Sequence, residues 1–440
     1  MLNRGIRILI LIFVISLFFI TGSSISFGEE KKPVFDVITI NSAITPPVAK
    51  YVVKAINQSS NEGSDGLIIL LDTPGGLDLA MRDIIKGLLN SPIPVIVFVY
   101  PSGARAASAG VIITMAAHVA AMAPGTNIGA AHPVALGVGK MDETMVKKVE
   151  NDFVAYAKSI AKKRGRDEKW VEQAIRKSKS ITAGEALKQN VIDLVVVDIN
   201  QLLEKIDGKE VTVTSGKVVL KTKGATINQK EMGLREKILI TLSNPNIAYL
   251  LLMIGLAGLY FEFAHPGVIL PGVIGGISLI LSFFAMQTLP VNYAGILLII
   301  FGIILFIAEI KIVSHGMLTV AGIISLILGS VMLFESPAPA LRVSLSVMLP
   351  TVTIMSLFFI GVISLVLKAQ LRKPVTGMEG MIGEEGNTIT AVYEDGKVFI
   401  RGEYWNAFSK KLIEKDERVK VVEINGLKVE IEKIISKKEG

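Results

Sequence analysis

Residues 70–133 read LLDTPGGLDLAMRDIIKGLLNSPIPVIVFVYPSGARAASAGVIITMAAHVAAMAPGTNIGAAHP, and this stretch decides the fold. It contains two predicted apolar strands, one ending before Asp72 and one before Tyr100, and each leads directly into a loop of glycine, proline and serine. At the ends of buried strands the backbone leaves its ladder, and its N–H groups become available to ligands. The loops DTPGG and ARAASAG are therefore where chemistry is expected.

Ser108 is the candidate nucleophile, because it precedes an apolar segment that is predicted to be a helix beginning near Ala107. The positive end of a helix dipole favours an alkoxide and the anion formed by attack on a carbonyl. Gly75 and Gly76 have no Cβ atoms, so their N–H groups, together with that of Ala109, are expected to form an oxyanion hole. The alternative is a pair of ordinary turns with a serine that only caps its helix.

The sequence resembles the membrane-bound serine proteases of the NfeD type. The resemblance is carried by LDTPGG (71–76), ASAG (107–110), AMAPGTNIGAAHP (121–133), NDFVAYAKSIAKKRGR (151–166) and ITAGEALKQNVID (181–193). It implies a Clp protease/crotonase-like α/β domain and a Ser/Lys dyad that needs no metal or cofactor. It also implies a substrate in or near the membrane, a partner of the stomatin/flotillin class, and at least a homodimer.

A helix predicted over residues 143–164 supplies the candidate base. One side of it is expected to pack inward, with Lys148 at its edge and a stripe formed by Met145, Val149, Phe153, Tyr156 and Ile160. A partly buried lysine can serve as a general base towards serine, because desolvation disfavours its ammonium form. The resemblance places the lysine of the dyad on Lys148.

Other bases stay open at this stage. Lys140 lies in a glycine-rich loop and could swing towards the serine. A Ser/His/Asp triad would need His118 or His132 with Asp72, although His118 falls far along the predicted helix and Asp72 is expected to fix the DTPGG turn. Some relatives carry an acid that could orient the lysine where this chain has Ser178.

The composition narrows the class of protein. Hydrophobic residues make up 51% of the 440 residues, and the mean hydropathy is +0.55, which indicates membrane segments. The absence of cysteine excludes a disulfide scaffold and a cysteine nucleophile. The net charge of +7 is spread along the chain without interleaved aromatic residues, so no nucleic-acid partner is expected.

The N-terminal residues 1–28 are predicted to be a signal peptide or an N-terminal anchor. Arg4 and Arg7 precede an apolar run, and small residues follow it, with Ser26 and Gly28 suited to a cleavage site. The protease domain that follows, predicted over 33–223 from alternating strands and helices, is expected to lie outside the cytoplasm.

A charged linker (224–245) is predicted to lead to a transmembrane region of about five helices within 246–370. The expected spans are 247–263, 268–286, 293–312, 317–334 and 346–368. An odd number of crossings puts the C-terminal domain in the cytoplasm, in agreement with the basic cluster of Lys368, Arg372 and Lys373 after the last span.

The tail, 377–440, is predicted to be a small all-β barrel, because residues 387–393, 397–405, 418–424 and 427–434 alternate as short strands. The pattern resembles the OB-like domain that ends NfeD proteins. Its aromatic residues suit either a small core or a base-stacking surface, and a protein-interaction module is the favoured interpretation.

The sequence thus predicts a multi-domain membrane-bound serine endopeptidase. One rival is a non-catalytic membrane scaffold that assembles stomatin/flotillin-type proteins. A second rival is a crotonase-type acyl-CoA enzyme, because that fold also builds oxyanion holes from backbone N–H groups. The secretory signal argues against this second rival, since acyl-CoA is a cytoplasmic substrate.

Overall fold

A computed structural model describes residues 4–21, 32–133, 142–264, 267–312, 314, 316–334, 336, 341–370 and 378–434. The chain forms two compact units, one of Met1–Ile300 with Ser325–Thr353 and one of Phe301–Ile324 with Ile354–Gly440. The α/β domain belongs to the first unit and the C-terminal barrel to the second.

The N-terminal apolar segment is a helix, α1 (Arg4–Thr21), as either a signal peptide or an anchor would be. The suggested cleavage positions, Ser26 and Gly28, lie outside the described residues. The choice between cleavage and anchoring therefore stays a prediction.

The α/β domain is built on a six-stranded parallel sheet. The strand order is β11-β1-β2-β3-β5-β8, with β1 Val34–Asn41, β2 Gly66–Asp72, β3 Val95–Val99, β5 Val119–Met122, β8 Leu194–Val195 and β11 Thr226–Gln229. Every residue of β3 is buried, because the sheet is covered on both faces. The near-continuous apolar runs in the sequence follow from this double burial.

Helices cover the two faces of this sheet. They are α2 Pro46–Asn61, α3 Asp78–Leu89, α4 Ala109–Ala116, α5 Glu143–Lys163, α6 Glu168–Arg176, α7 Ala183–Lys188 and α8 Ile199–Ile206. The larger core includes Ile69, Val97 and Ile112, and the other face packs Phe98 against Leu202. A capping box formed by Thr182 and Glu185 begins α7.

Two smaller sheets complete the domain. Strands β4 (Arg105–Ala107), β6 (Asn127–Gly129) and β7 (Ser180–Thr182) form one sheet, in which β6 is central. Strands β9 (Glu210–Val213) and β10 (Gly216–Val219) form an antiparallel hairpin. The first of these sheets matters for function, because β4 ends directly before Ser108.

The domain extends past its predicted boundary at residue 223. Strand β11 pairs in parallel with β1, from Val34 opposite Thr226 to Val37 opposite Gln229. A helix, α9 (Leu234–Leu242), follows within the segment that was expected to be a linker. The boundary is corrected because β11 belongs to the main sheet.

Helix α5 has nearly the predicted bounds, but its first turns do not pack inward. Phe153 and Ile160 are buried, whereas Met145 and Val149 are 48% and 41% exposed. Lys148 is exposed as well, which corrects the expectation of partial burial. The reason is that the helix packs on the core only from Phe153 onward, so its N-terminal turns project from the domain.

The C-terminal end of α4 is held by a nearly buried arginine. Arg166 donates hydrogen bonds to the carbonyl oxygens of Met115 and Ala117, and its Nη2 lies 2.7 Å from Asp193 Oδ2. Burial alone would raise the pKa of Asp193, but the charge of Arg166 and the N–H of Ala120 outweigh burial and lower that pKa. The pair anchors the helix that carries the candidate nucleophile.

Replacing Asp193 with asparagine is expected to destabilise the domain by about 2–3 kcal/mol at pH 7, because it leaves Arg166 buried without a counter-charge. A carboxylate whose pKa is lower in the folded than in the unfolded state stabilises the fold at pH values above its unfolded-state pKa. This contribution is lost as the pH falls through the folded-state pKa. The difference between wild type and variant should therefore shrink below about pH 4. Apparent melting temperature measured against pH checks this.

The control for that experiment is Asp83→Asn, because Asp83 is exposed and only 3.8 Å from Lys86. An exposed pair of this kind contributes at most about 0.5 kcal/mol. Equal losses for the two variants, or an Asp193→Asn effect that does not change with pH, would contradict the assigned role of the buried pair.

The five apolar segments predicted to cross the membrane all form helices: α10 Pro245–Ala264, α11 Ile269–Met286, α12 Tyr293–Lys311, α13 Met317–Met332 and α14 Leu345–Gln370. Three are long and apolar enough to cross, over Pro245–Phe263, Ile269–Met286 and Leu345–Leu365. The apolar parts of α12 and α13 that the structure describes are shorter, Tyr293–Glu309 and Met317–Met332. By length and composition the described residues thus contain three candidate spans rather than five.

The C-terminal domain is a closed five-stranded barrel in the order β12-β13-β14-β16-β15. Its strands are β12 Glu385–Thr388, β13 Gly396–Ile400, β14 Glu403–Phe408, β15 Arg418–Asn425 and β16 Lys428–Lys433. The predicted strand 397–405 is two strands, because Arg401 and Gly402 both have positive φ and turn the chain. The core is mainly aliphatic, with Val398 and Ile431 fully buried and Tyr404 70% exposed.

Candidate active site

Ser108 lies at a strained turn between β4 and α4. Its φ of 52° and ψ of −114° are rare for a residue with a side chain, and strained residues of this kind cluster at functional sites. It occupies the N-cap position of α4, but its side chain makes no capping hydrogen bond. The interpretation of Ser108 as an ordinary helix cap is therefore wrong, and its half-buried hydroxyl is available for other chemistry.

The DTPGG loop is held against the strand that precedes Ser108. Thr73 N–H donates to the Arg105 carbonyl oxygen at 2.8 Å, and Ala107 N–H donates to the Thr73 carbonyl oxygen at 3.1 Å. Asp72 Oδ1 accepts from Arg105 N–H at 3.0 Å, so this carboxylate joins the two loops. Asp72 was expected to fix its own turn, and instead it positions the strand that leads to Ser108.

Gly75 directly contacts the candidate nucleophile. A Cβ atom built on Gly75 would lie 2.6 Å from Ser108 Cβ and 3.1 Å from its Oγ, and Gly75 has a φ of +114°. Its N–H already donates to Thr73 Oγ1 at 3.1 Å. Glycine at position 75 therefore lets the loop backbone approach Ser108 closely and adopts a φ value that other residues avoid. Its N–H, predicted to belong to the oxyanion hole, is bonded to Thr73 Oγ1 instead.

The Gly76 peptide is fixed by a short parallel bridge to Ile44. Ile44 N–H donates to the Gly75 carbonyl oxygen at 2.8 Å, and Leu77 N–H donates to the Ile44 carbonyl oxygen at 2.9 Å. The N–H of Gly76 takes no part in this bridge. The Ala109 N–H is the first of α4 and so has no partner within the helix. Of the three predicted donors, Gly76 and Ala109 are thus the two whose N–H groups are not used by the bridge or the helix, whereas that of Gly75 is bonded to Thr73.

Gly75→Ala is expected to lower any activity that depends on Ser108 by at least about 100-fold, because its Cβ would displace Ser108 and small misplacements of reacting groups are costly. The matched control is Gly63→Ala, since Gly63 has a φ of +73° and a Cβ atom added there would have no neighbour within 4 Å. That control should lose about 1–2 kcal/mol of stability and keep its activity. Initial rates and melting temperatures of both variants distinguish the clash from backbone strain, and equal activity in both would contradict the assignment.

His118 is unsuited to act on Ser108. Its Nδ1 accepts a hydrogen bond from Val95 N–H at 3.1 Å, and it lies beyond the other end of α4, about 12 Å along the helix. Burial, followed by the charge of Arg164, lowers its pKa to about 3. His118 is therefore a neutral hydrogen-bond acceptor in the core.

His132 and Ser178 lie on the loops beside β6 and β7. The Nδ1 of His132 donates to the Ile175 carbonyl oxygen at 3.0 Å, so the ring is held against the C-terminal turn of α6. Ser178 has a φ of 50° in the turn after α6. Position 178 therefore carries a hydroxyl and no acid.

Lys148 lies on the projecting part of α5, and two arginines fix the helix just after it. Arg82 Nη2 on α3 is 3.1 Å from Asp152 Oδ2, and Arg176 Nη1 on α6 is 2.8 Å from Glu150 Oε1. Asp152 is one turn from Lys148 on the same side of α5. These anchors were not predicted, because nothing in the sequence shows that Arg82 and Arg176 meet α5. Lys140 lies outside the described residues.

Models of three protein families match the chain. They are described as the NfeD1b N-terminal domain over residues 34–230, the NfeD integral membrane domain over 246–366, and the NfeD-like C-terminal, partner-binding domain over 378–433. The first match ends at the last residues of the corrected α/β domain. The three matches follow the three parts of the chain in order.

Two similar proteins span almost the full length. The chain is 37% identical to the membrane-bound protease PH1510 of Pyrococcus horikoshii, over 93% of this chain and 95% of that protein. It is 27% identical to the membrane protein NfeD1b of Bacillus subtilis, over 98% and 99%. The chain is also similar to a solved structure of a membrane-bound stomatin-specific protease, a lysine-to-alanine mutant in complex with a substrate peptide. The sequence identity is 36%, the match covers 48% of this chain and 98% of that chain, and the TM-score is 0.45.

The predicted fold class is confirmed for all three parts. The N-terminal domain is an α/β domain on a parallel sheet, apolar helices follow it, and a closed five-stranded barrel consistent with an OB-like domain is the last part that the structure describes.

Proposed function

The chain belongs to the NfeD family of membrane proteins, and on that premise we propose that it is a membrane-bound serine endopeptidase that uses a Ser108/Lys148 dyad. The observation that carries the proposal is the strained Ser108 turn packed against Gly75, with a side chain free of any capping role. The 37% identity to a membrane-bound protease over nearly the whole chain supports the same reaction class.

In the proposed mechanism the neutral amine of Lys148 takes the proton from Ser108 Oγ, and Oγ bonds to the scissile carbonyl carbon. The carbonyl oxygen becomes an oxyanion that the N–H groups of Gly76 and Ala109 stabilise, with Gly75 able to join if it leaves Thr73. Collapse breaks the C–N bond, and the leaving amine takes the proton from Lys148. A water deprotonated by the same lysine then releases the acyl group.

The exposed position of Lys148 requires that something cover it during catalysis. Met145, one turn before Lys148, and Val149, the residue directly after it, are also exposed, so the projecting turns of α5 present apolar surface next to the proposed base. A substrate segment that is itself apolar would bury both side chains and exclude water from the amine. This supports an apolar cleavage segment. An assembled enzyme of at least two copies is proposed on the family resemblance alone.

The proposed substrate or partner is a stomatin- or flotillin-type membrane protein, the class that the family resemblance implies. The C-terminal barrel matches a domain described as partner-binding, which supports a role in bringing such a protein to the enzyme. The proposed topology places the α/β domain outside the cytoplasm and the barrel inside. The three candidate spans among the described residues, like the five predicted ones, are an odd number, and this supports opposite sides.

A non-catalytic scaffold is the second candidate. The exposure of Lys148 favours it, and so does the full-length similarity to a protein named only as a membrane protein. The deciding experiment is cleavage of apolar peptides by the full chain in lipid nanodiscs, compared with the Ser108 and Lys148 variants discussed below. Cleavage that depends on Ser108 supports the peptidase, and a wild-type chain that cuts no peptide supports the scaffold.

A further inference from the structure

Helix α9 joins the α/β domain to the first candidate membrane span. It is only nine residues long, and the span Pro245–Phe263 begins three residues after its end at Leu242. Within the same compact unit α9 contacts α2 on one side and α10 and α11 on another. Its sequence, LREKILITL, has apolar residues on more than one face.

One face of α9 is used to attach it to the α/β domain. Ile240, one turn after Glu236, packs against the core. Glu236 Oε1 lies 2.6 Å from Lys54 Nζ on α2, and Tyr51 Oη of α2 donates to the Lys230 carbonyl oxygen at 3.2 Å. The orientation of α9 relative to the domain is therefore fixed by packing and by polar contacts.

The opposite side carries Leu234, Ile238 and Leu242 on successive turns, and it is uncovered over its first two turns, because only Leu242 is buried. Leu234 is 81% exposed and Ile238, one turn later, is 56% exposed. Arg235 beside them is exposed and has no ion pair among the described residues. Lys237 is also exposed, 3.8 Å from Glu231 Oε2. Exposed aliphatic side chains flanked by cationic ones are typical of a helix that lies at a membrane surface.

We propose that α9 lies in the headgroup region of the bilayer, with Leu234 and Ile238 among the acyl chains and Arg235 at the phosphates of anionic lipids. The bilayer must lie within a few residues of this face, because Pro245 starts a span. On this proposal the positive charges of Arg235 and Lys237 bind lipid on the side of the membrane where the α/β domain lies. They do not mark that side as the cytoplasmic one. The proposal is independent of whether the α/β domain cleaves peptides.

Such a contact would set the height of the α/β domain above the membrane. Helix α2 touches α9 at Lys54, and its N-terminus at Pro46 follows Ile44, the residue that holds the Gly76 peptide. Lys54 and Pro46 are about 12 Å apart along the helix axis. The lipid contact is thereby connected through one rigid helix to the loop beside Ser108.

The chain contains no cysteine, so a single environment-sensitive label can be placed at will. The test uses full-length Ile238→Cys carrying a nitrobenzoxadiazole label in nanodiscs of phosphatidylcholine and phosphatidylglycerol. The matched control is Leu187→Cys, an exposed apolar position on α7 at 43% exposure. Iodide in the water and doxyl-labelled lipid in the bilayer are the two quenchers.

The expected result is that lipid doxyl groups quench the label at 238 and not the label at 187, while iodide quenches 238 about threefold less than 187. Arg235→Gln should shift the emission at 238 to the red in anionic nanodiscs and leave it unchanged in phosphatidylcholine alone. Equal iodide quenching at both positions would overturn the proposal. Protection of 238 from both quenchers would overturn it too, since that result indicates a protein partner or a second copy.

Discussion

Replacing Ser108 with alanine is expected to lower kcat for apolar peptides by at least about 1000-fold, because without the hydroxyl no acyl-enzyme can form. The stability should stay within about 0.5 kcal/mol of wild type, since alanine and serine have similar difficulty with a φ of 52° and the serine makes no capping bond that alanine would lose. Cleavage is measured with the full chain in nanodiscs, and stability by thermal unfolding.

The matched control is Ser159→Ala, because Ser159 is an exposed helical serine whose Oγ donates only to the Tyr156 carbonyl oxygen on its own helix. It should keep wild-type activity. A Ser108→Ala variant that retains more than a few per cent of the wild-type rate would show that another residue is the nucleophile, or that the observed cleavage comes from a contaminant.

Lys148→Ala is the second decisive variant, with an expected fall in kcat/KM of at least about 100-fold, the lower end of what a general base contributes. Lys147→Ala is an unusually close control. The two lysines are adjacent on α5 and both are exposed, so the two variants lose the same charge in the same surroundings. The two side chains leave the helix in directions that differ by about 100°. Only one of them can be directed towards Ser108 Oγ.

Three outcomes of the lysine comparison are informative. Loss of activity in Lys148→Ala alone supports the dyad. Loss of activity in Lys140→Ala alone would identify Lys140 as the general base. Full activity in all three lysine variants would make His132 the next candidate base. Because a base must be neutral to accept a proton, kcat/KM of the wild type should rise with pH until the base is fully deprotonated.

The sequence predicted the centre of the α/β domain well, because its strands are buried on both faces. The run VIVFV became β3 with every residue buried, and the segment after Ser108 became a helix. Strand β11 was missed because all four of its residues are exposed at the sheet edge, so no apolar pattern marks it. An exposed edge strand is specified by its neighbour rather than by its own composition.

The candidate site was predictable where it depends on small residues, and unpredictable where it depends on tertiary contacts. Gly75 and Ser108 were identified from the sequence, and the structure packs them together. That Thr73 Oγ1 takes the Gly75 N–H could not be foreseen, because it depends on how the loop folds. The prediction that Met145 packs inward was wrong, because helical periodicity does not show where the core ends.

The pairing of β1 with β11 also constrains the order in which the protein can be completed during synthesis. Partners Val34 and Thr226 are separated by roughly 190 residues, and contacts between distant parts of a chain form late. The edge of β1 must therefore stay open until the stretch just before α9 has left the ribosome, shortly before the first membrane span follows it. A nascent chain that stalls before residue 226 would expose that edge to other chains, so holding by a chaperone is expected to matter most over this interval.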